Sequence, residues 1–149
     1  MSFRFWQNGS TAGTIEGAVN RALYGDPRLR DFDAPRIHVS VDRGEVRLSG
    51  AVSTSEDRDL AERLVAEVRG ISRVENKLRT DADLTNALRM ALAGDARTAD
   101  LARESIVFHG VAERRGRATY DAQLAAEKMA NAIDGVRDTA DHAVWTSAA

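Results

Sequence analysis

The sequence of 149 residues contains no cysteine. Disulfide bonds, thiolate nucleophiles and thiolate metal sites are therefore excluded. Only 5% of residues are aromatic, so a core must be built from aliphatic side chains. No apolar run approaches the roughly 20 residues that a membrane-spanning helix needs, and no transmembrane segment is expected. Neither sign of charge dominates. Lys and Arg number 21 against 23 Asp and Glu, a formal net charge of −2, and the pI is near 5.9. That balance gives no reason to expect specific nucleic-acid binding. The opening Met1-Ser-Phe-Arg-Phe-Trp6 has no apolar stretch or small-residue cleavage site behind it. The expectation is a chain that stays where it is made, cytoplasmic by default.

What is present fits a soluble globular protein of one ordinary domain or two small ones, with 43% hydrophobic and 30% charged residues. Phe3, Phe5 and Trp6 form an aromatic arm, followed by a small, polar joint, so residues 1–13 read as arm and linker. Thr14 is placed to cap a helix carrying Ile15, Ala18, Val19, Ala22 and Leu23 on one face, ending near Gly25. A loop through Pro35 leads to Ile37, Val39 and Val41, which alternate with polar residues as in a half-buried strand. Asp42-Arg43-Gly44 is a turn, and Val46 and Leu48 continue the inward face. Ser53 with Glu56 has capping-box spacing before a helix burying Ala61, Leu64, Val65 and Val68. A third strand runs from about Ile71 to Leu78.

The same order recurs. Asp83 is placed to cap a helix with Leu84, Ala87, Leu88, Ala91 and Leu92. Ala91-Leu-Ala-Gly-Asp-Ala-Arg97 echoes Ala22-Leu-Tyr-Gly-Asp-Pro-Arg28, and Ile106-Val-Phe-His-Gly110 echoes Val46-Arg-Leu-Ser-Gly50. Asp134-Gly-Val136 matches Arg69-Gly-Ile71. Agreement at three landmarks in order indicates duplication. The predicted fold is α+β: two α-β-β-α-β units over 14–80 and 83–146, each a three-stranded mixed sheet packed on two helices.

These residues resemble the BON domain of bacterial envelope and stress proteins. In the first copy the resemblance rests on Ala22-Leu23…Asp26-Pro27, on Val39-x-Val41-x-x-Gly44-x-Val46-x-Leu48-x-Gly50, and on Gly70-Ile71-x-x-Val74-x-Asn76-x-Leu78. The second copy departs from it, with Ala96 for the Pro, Glu104 for the hairpin Gly and Asp141 for the Asn, and reads as a degenerate unit. The resemblance implies no enzymatic activity. Tandem relatives are often exported to the periplasm or envelope, and some are implicated in osmotic stress or in binding anionic phospholipid.

No catalytic constellation, cofactor motif or metal-ligand spacing is found. The Glu56-Asp57 pair opens a helix, where acids suit the dipole, and His38, His109 and His142 are scattered. Two surfaces stand out. On the duplicated alignment, the outward positions Arg47, Ser49, Glu75, Lys77 and Arg79 of copy one correspond to Val107, His109, Ala140, His142 and Val144. An apolar outer face calls for a cover: the other unit, another subunit or a ligand. Arg114, Arg115 and Arg117, in a segment longer than its counterpart, are the candidate site for an anionic partner such as a lipid surface. The leading expectation is a non-enzymatic protein that associates with itself through Phe3, Phe5, Trp6, Val107, His109, His142 and Val144, extending into a filament where the contact does not close. The rival is a peripheral module binding anionic phospholipid through the three arginines, with the arm as interfacial anchor.

Overall fold

The computed structural model describes residues 15–141, together with the backbone of 144 and 145. Phe3, Phe5, Trp6, the joint, the cap position Thr14 and His142 lie outside the described residues, as does the side chain of Val144. The chain divides into two compact units, Met1–Leu78 and Arg79–Ala149.

In unit 1, helix α1 (15–25) buries Val19 and Leu23 on the predicted face. A helical turn the sequence reading passed over, α2 (Pro27–Arg30), follows at once. The Asp26 carboxylate accepts the Arg28 N–H at 2.8 Å, and Pro27 occupies the first helical position, where a missing N–H costs nothing. The expected loop is thus a helical turn and a 3-10 turn at Ala34–Arg36, and Leu29 and Ala34 anchor them in the core.

Strands β1 (Ile37–Asp42) and β2 (Glu45–Val52) pair antiparallel across Arg43-Gly44. Both turn residues are left-handed, with φ of +53° and +80°, the type I′ geometry that matches the strands' twist. Gly50 has φ of +99° within β2, and a Cβ there would collide with the carbonyl of Arg36. Helix α3 (Ser55–Ala66) is capped by Thr54, whose hydroxyl accepts the Asp57 N–H at 3.1 Å. The cap is one residue beyond the expected Ser53 and Glu56, because Ser53 is drawn to Asp33 instead. Strand β3 (Arg73–Asn76) runs parallel to β2, giving the order β1-β2-β3. Val46, Leu48, Leu60, Ala61 and Val65 close the core against α1.

Unit 2 begins with β4 (Arg79–Thr80) and α4 (Asp81–Ala93). Thr80, rather than Asp83, is the N-cap. Asp83 completes a capping box by accepting the Thr80 N–H at 3.0 Å. Then come α5 (Ala99–Ala102), β5 (Ile106–Phe108), β6 (Val111–Arg114), β7 (Arg117–Ala118), α6 (Tyr120–Asn131), β8 (Asp138–Asp141) and β9 (Val144–Trp145). The order is β5-β6-β8, antiparallel and then parallel, the same senses as in unit 1, while β7 pairs with β9. Leu84, Leu88, Leu92 and Leu101 on the helices are fully buried, as are Ala112 and Ala126. The class is α+β, with small mixed sheets backed by helices.

Candidate functional site

The hairpin of unit 2 decides where the candidate residues go. Its turn is His109-Gly110, with φ of +49° and +81°, nearly the angles of Arg43-Gly44. Gly110 therefore corresponds to the turn glycine Gly44, not to Gly50, and Glu104 does not replace a hairpin glycine. The carbonyls of the two glycines also receive equivalent bonds, from Ser72 N–H and from Arg137 N–H, each at 2.9 Å. In unit 2 the turn is held further by a helix. The buried Asp81 carboxylate accepts the N–H groups of His109 at 2.8 Å and Gly110 at 3.2 Å.

Strand side chains alternate between faces, so a displaced register reverses the exposure of each one. Val107, expected outward, is 5% exposed and faces the core. Its neighbour Phe108 is 58% exposed, flanked on the outer face by the half-buried Ile106, Val111 and Ala140. His109 lies in the turn rather than on a strand, its ring centroid 4.2 Å from that of Phe108. The outer face of unit 2 is thus mixed: Glu113 stands opposite Ile106 and Ala140, and Asp138 opposite Val111, so the fully apolar face expected from the sequence is not what forms. The free edge of β5 is not open. Thr85 Oγ1 on α4 accepts the Val107 N–H at 2.9 Å, and Arg89 Nε donates to the Ser105 carbonyl at 2.8 Å.

The outer face of unit 1 is polar. Arg47 Nε donates to Glu75 at 2.7 Å and Lys77 lies 3.4 Å from the same carboxylate, which holds Glu75 below its usual range. A concavity of about 420 Å³ there is lined by Ser40, Asp42, Glu45, Arg47, Arg73 and Glu75. Its charges are of both signs, so it selects no ion by charge alone.

The three arginines are not brought together. The segment 111–119, read from the sequence as longer than its counterpart, is the second hairpin strand, interrupted at Arg115-Gly116 where Gly116 takes φ of +123°. Arg114 is the fourth residue after its turn glycine, as Leu48 is after Gly44, and like Leu48 it points inward, 4% exposed. Arg115 faces solvent and pairs with Glu113 at 2.7 Å, and Arg117 is exposed.

A cluster that sequence reasoning missed lies in unit 1. Asp33, 1% exposed, accepts the Ser53 N–H at 2.9 Å and its hydroxyl at 2.6 Å. Arg36 Nη1 stands 3.7 Å away, beyond hydrogen-bonding distance, and the Asp57 carboxylate lies beside it. Burial pushes the Asp33 carboxyl up to about 6, and the Asp57 neighbour adds to the rise, against the Ser53 donors. Arg28 reaches Asp57 at 3.4 Å and Glu56 at 3.5 Å from the solvent side. Among the described residues, no three His, Asp or Glu side chains are gathered to hold a metal ion. No helix there is long and apolar enough to cross a membrane.

Among curated proteins, no match was found. Two similar solved structures are of CdsD from Chlamydia trachomatis. The first, the C-terminal domain of this structural protein of the type III secretion system, has 20% identity and a TM-score of 0.59 over 88% of this chain. This chain spans 66% of that one, just under two thirds of its length. The second has 10% identity and a TM-score of 0.42, covering 91% of this chain and 93% of its own. The family model of the BON domain matches residues 11–82.

Proposed function

We propose that the chain is a non-enzymatic, BON-type assembly protein that associates with itself in an envelope-related structure, and that unit 2 is a degenerate copy of unit 1. The observation that carries this reading is the outer sheet face of unit 2. Unit 1 fills its outer face with the ion pairs of Arg47, Glu75 and Lys77, whereas unit 2, beside Glu113 with its Arg115 partner and Asp138, presents Phe108 at 58% exposure with the half-buried Ile106, Val111 and Ala140. Burying such a face in a neighbouring copy returns apolar surface from water at roughly 25 cal/mol per Å². The fold shared with a structural protein of a secretion apparatus supports the assembly role. The common strand order and the matching turns of the two units support the duplication.

Because α4 side chains occupy the β5 edge, the contact runs through the sheet face rather than by adding a strand to β5. The anionic-lipid alternative keeps only Arg115 and Arg117 at the surface, one of them already paired with Glu113. Light scattering on the full chain, on Phe108→Ser and on a version starting at Thr14 tests the proposal. Phe108→Ser is expected to weaken association at least tenfold. Equal association by wild type and Phe108→Ser would remove the face from the contact.

A further inference from the structure

A groove in unit 1 runs between helix α3 and strand β3, with a volume of about 380 Å³. Ala66, Ile71 and Val74 give it an apolar surface, and Glu62, Arg63 and Arg73 stand along its walls. Ala66 and the two arginines are exposed, while Ile71 and Val74 are half-buried at the border of the core. Strand β3 ends the sheet order, and no described strand lies beyond it. Ser72 donates its N–H to the Gly44 carbonyl of the neighbouring chain segment at 2.9 Å. Alternate residues of a parallel strand bond to the same side, so Arg73 and Glu75 turn their main-chain N–H and C=O groups to the outer edge. An open edge beside an apolar groove accepts a further extended segment.

The described chain begins at the mouth of this groove. Ile15 packs over Gly70, where a Cβ would stand 3.5 Å from Ile15 Cδ1, and Ile71 follows directly. Residues 1–14, outside the described residues, therefore leave from that end. From Trp6 to Ile15 the chain can extend up to ~30 Å, against the roughly 10 Å that residues 71–74 span. Gly9, Ser10, Thr11 and Gly13 in between let it turn along the edge.

We propose that the groove between α3 and β3 is the docking site of the aromatic arm of the same chain, laid antiparallel to β3 as an added edge strand. The direction follows from the exit, since the arm runs towards Gly70 at the start of β3. Phe3 and Phe5 fall on one side of an extended arm and cover Ala66, Ile71 and Val74. Arg63 and Arg73 offer guanidinium planes to the aromatic faces. A short flexible tether holds the arm at an effective concentration on the order of millimolar, which favours it over the arm of another molecule. The groove is separate from the Phe108 face, and its failure would leave the assembly proposal standing.

The test uses the full chain, isotopically labelled, with a nitroxide on Ser2→Cys, the one thiol in a protein that has no cysteine. Docking broadens the amide resonances of Arg63, Ala66, Ile71 and Val74 well beyond those of β1. The pattern should survive dilution into about tenfold excess of untagged, unlabelled chain. Phe3→Ser combined with Phe5→Ser should relieve the broadening at least threefold, and so should Ala66→Glu at its exposed position in the groove. In the version starting at Thr14, hydrogen exchange of the Arg73 and Glu75 amides should accelerate at least tenfold. Broadening spread evenly over unit 1, broadening indifferent to the paired phenylalanine substitutions, or unchanged exchange at Arg73 and Glu75 overturns the inference. Broadening that disappears on dilution assigns the groove to the arm of a second copy and overturns it equally.

Discussion

Replacing Asp33 by Asn changes one charge and little else, and its consequence can be worked out from the geometry. Asn keeps an oxygen able to accept both Ser53 donors, now at 2.9 and 2.6 Å. What disappears is a carboxyl whose folded-state value is raised from 3.8 to about 6. Below about pH 4 the folded and unfolded forms both hold the proton, and the group makes no difference to stability. Between about pH 4 and 6 the folded form keeps a proton that the unfolded form has released, so stability falls as pH rises. Well above pH 6 both forms are ionised and the loss is complete. A shift of about 2 units at about 1.4 kcal/mol each places the full loss at about 2–3 kcal/mol. The charged groups around Asp33 are Asp57 and Arg36, with Arg28 and Glu56 on the solvent side of Asp57. The assay is urea unfolding of the full chain followed by circular dichroism at pH 4.5 and 7.5. Wild type should lose stability between the two, and Asp33→Asn should lose markedly less. Identical differences in both proteins would refute the reasoning.

Two further substitutions test the hairpins. Gly50→Ala forces a side chain into φ of +99° and against the Arg36 carbonyl, and it should destabilise unit 1 by about 3 kcal/mol or more in the same urea assay. An effect below about 1 kcal/mol would mean that the strand does not take this path. Asp81→Ala strips the shared acceptor from the His109 and Gly110 N–H groups and should cost about 2 kcal/mol, with amide hydrogen exchange at those two positions accelerated. Unchanged exchange would place the Asp81 carboxylate elsewhere.

Much of unit 1 was legible because its signals are local. Val39, Val41, Val46 and Leu48 alternate around Arg43-Gly44, and the structure gives that hairpin the expected faces. The α2 turn was missed, because Asp26-Pro27 is a helix start that reads equally well as the end of α1. The helix caps failed by small displacements. Thr54 and Asp57 have the same spacing as Ser53 and Glu56, and only the pull of Asp33 on Ser53 decides between them.

Unit 2 failed on register. Aligning Gly110 with Gly50 made 106–110 the second hairpin strand, whereas a left-handed His109 makes it the first strand and the turn. From that one choice Val107 was turned outward, Phe108 inward, and Arg114 into a loop. Nothing local marks Arg114 as interior. Beside Arg115 and Arg117 it reads as surface charge, and only the count from the turn glycine reveals its place. Asp33 escaped notice because its partners, Ser53 and Asp57, are 20 or more residues away.

Sedimentation velocity of the full chain across a concentration series, from about 1 to 100 μM, tests the central claim most directly. The weight-average mass should rise with concentration above that of the 16.2 kDa monomer and fall back for Phe108→Ser. A single 16.2 kDa species throughout the series would contradict it.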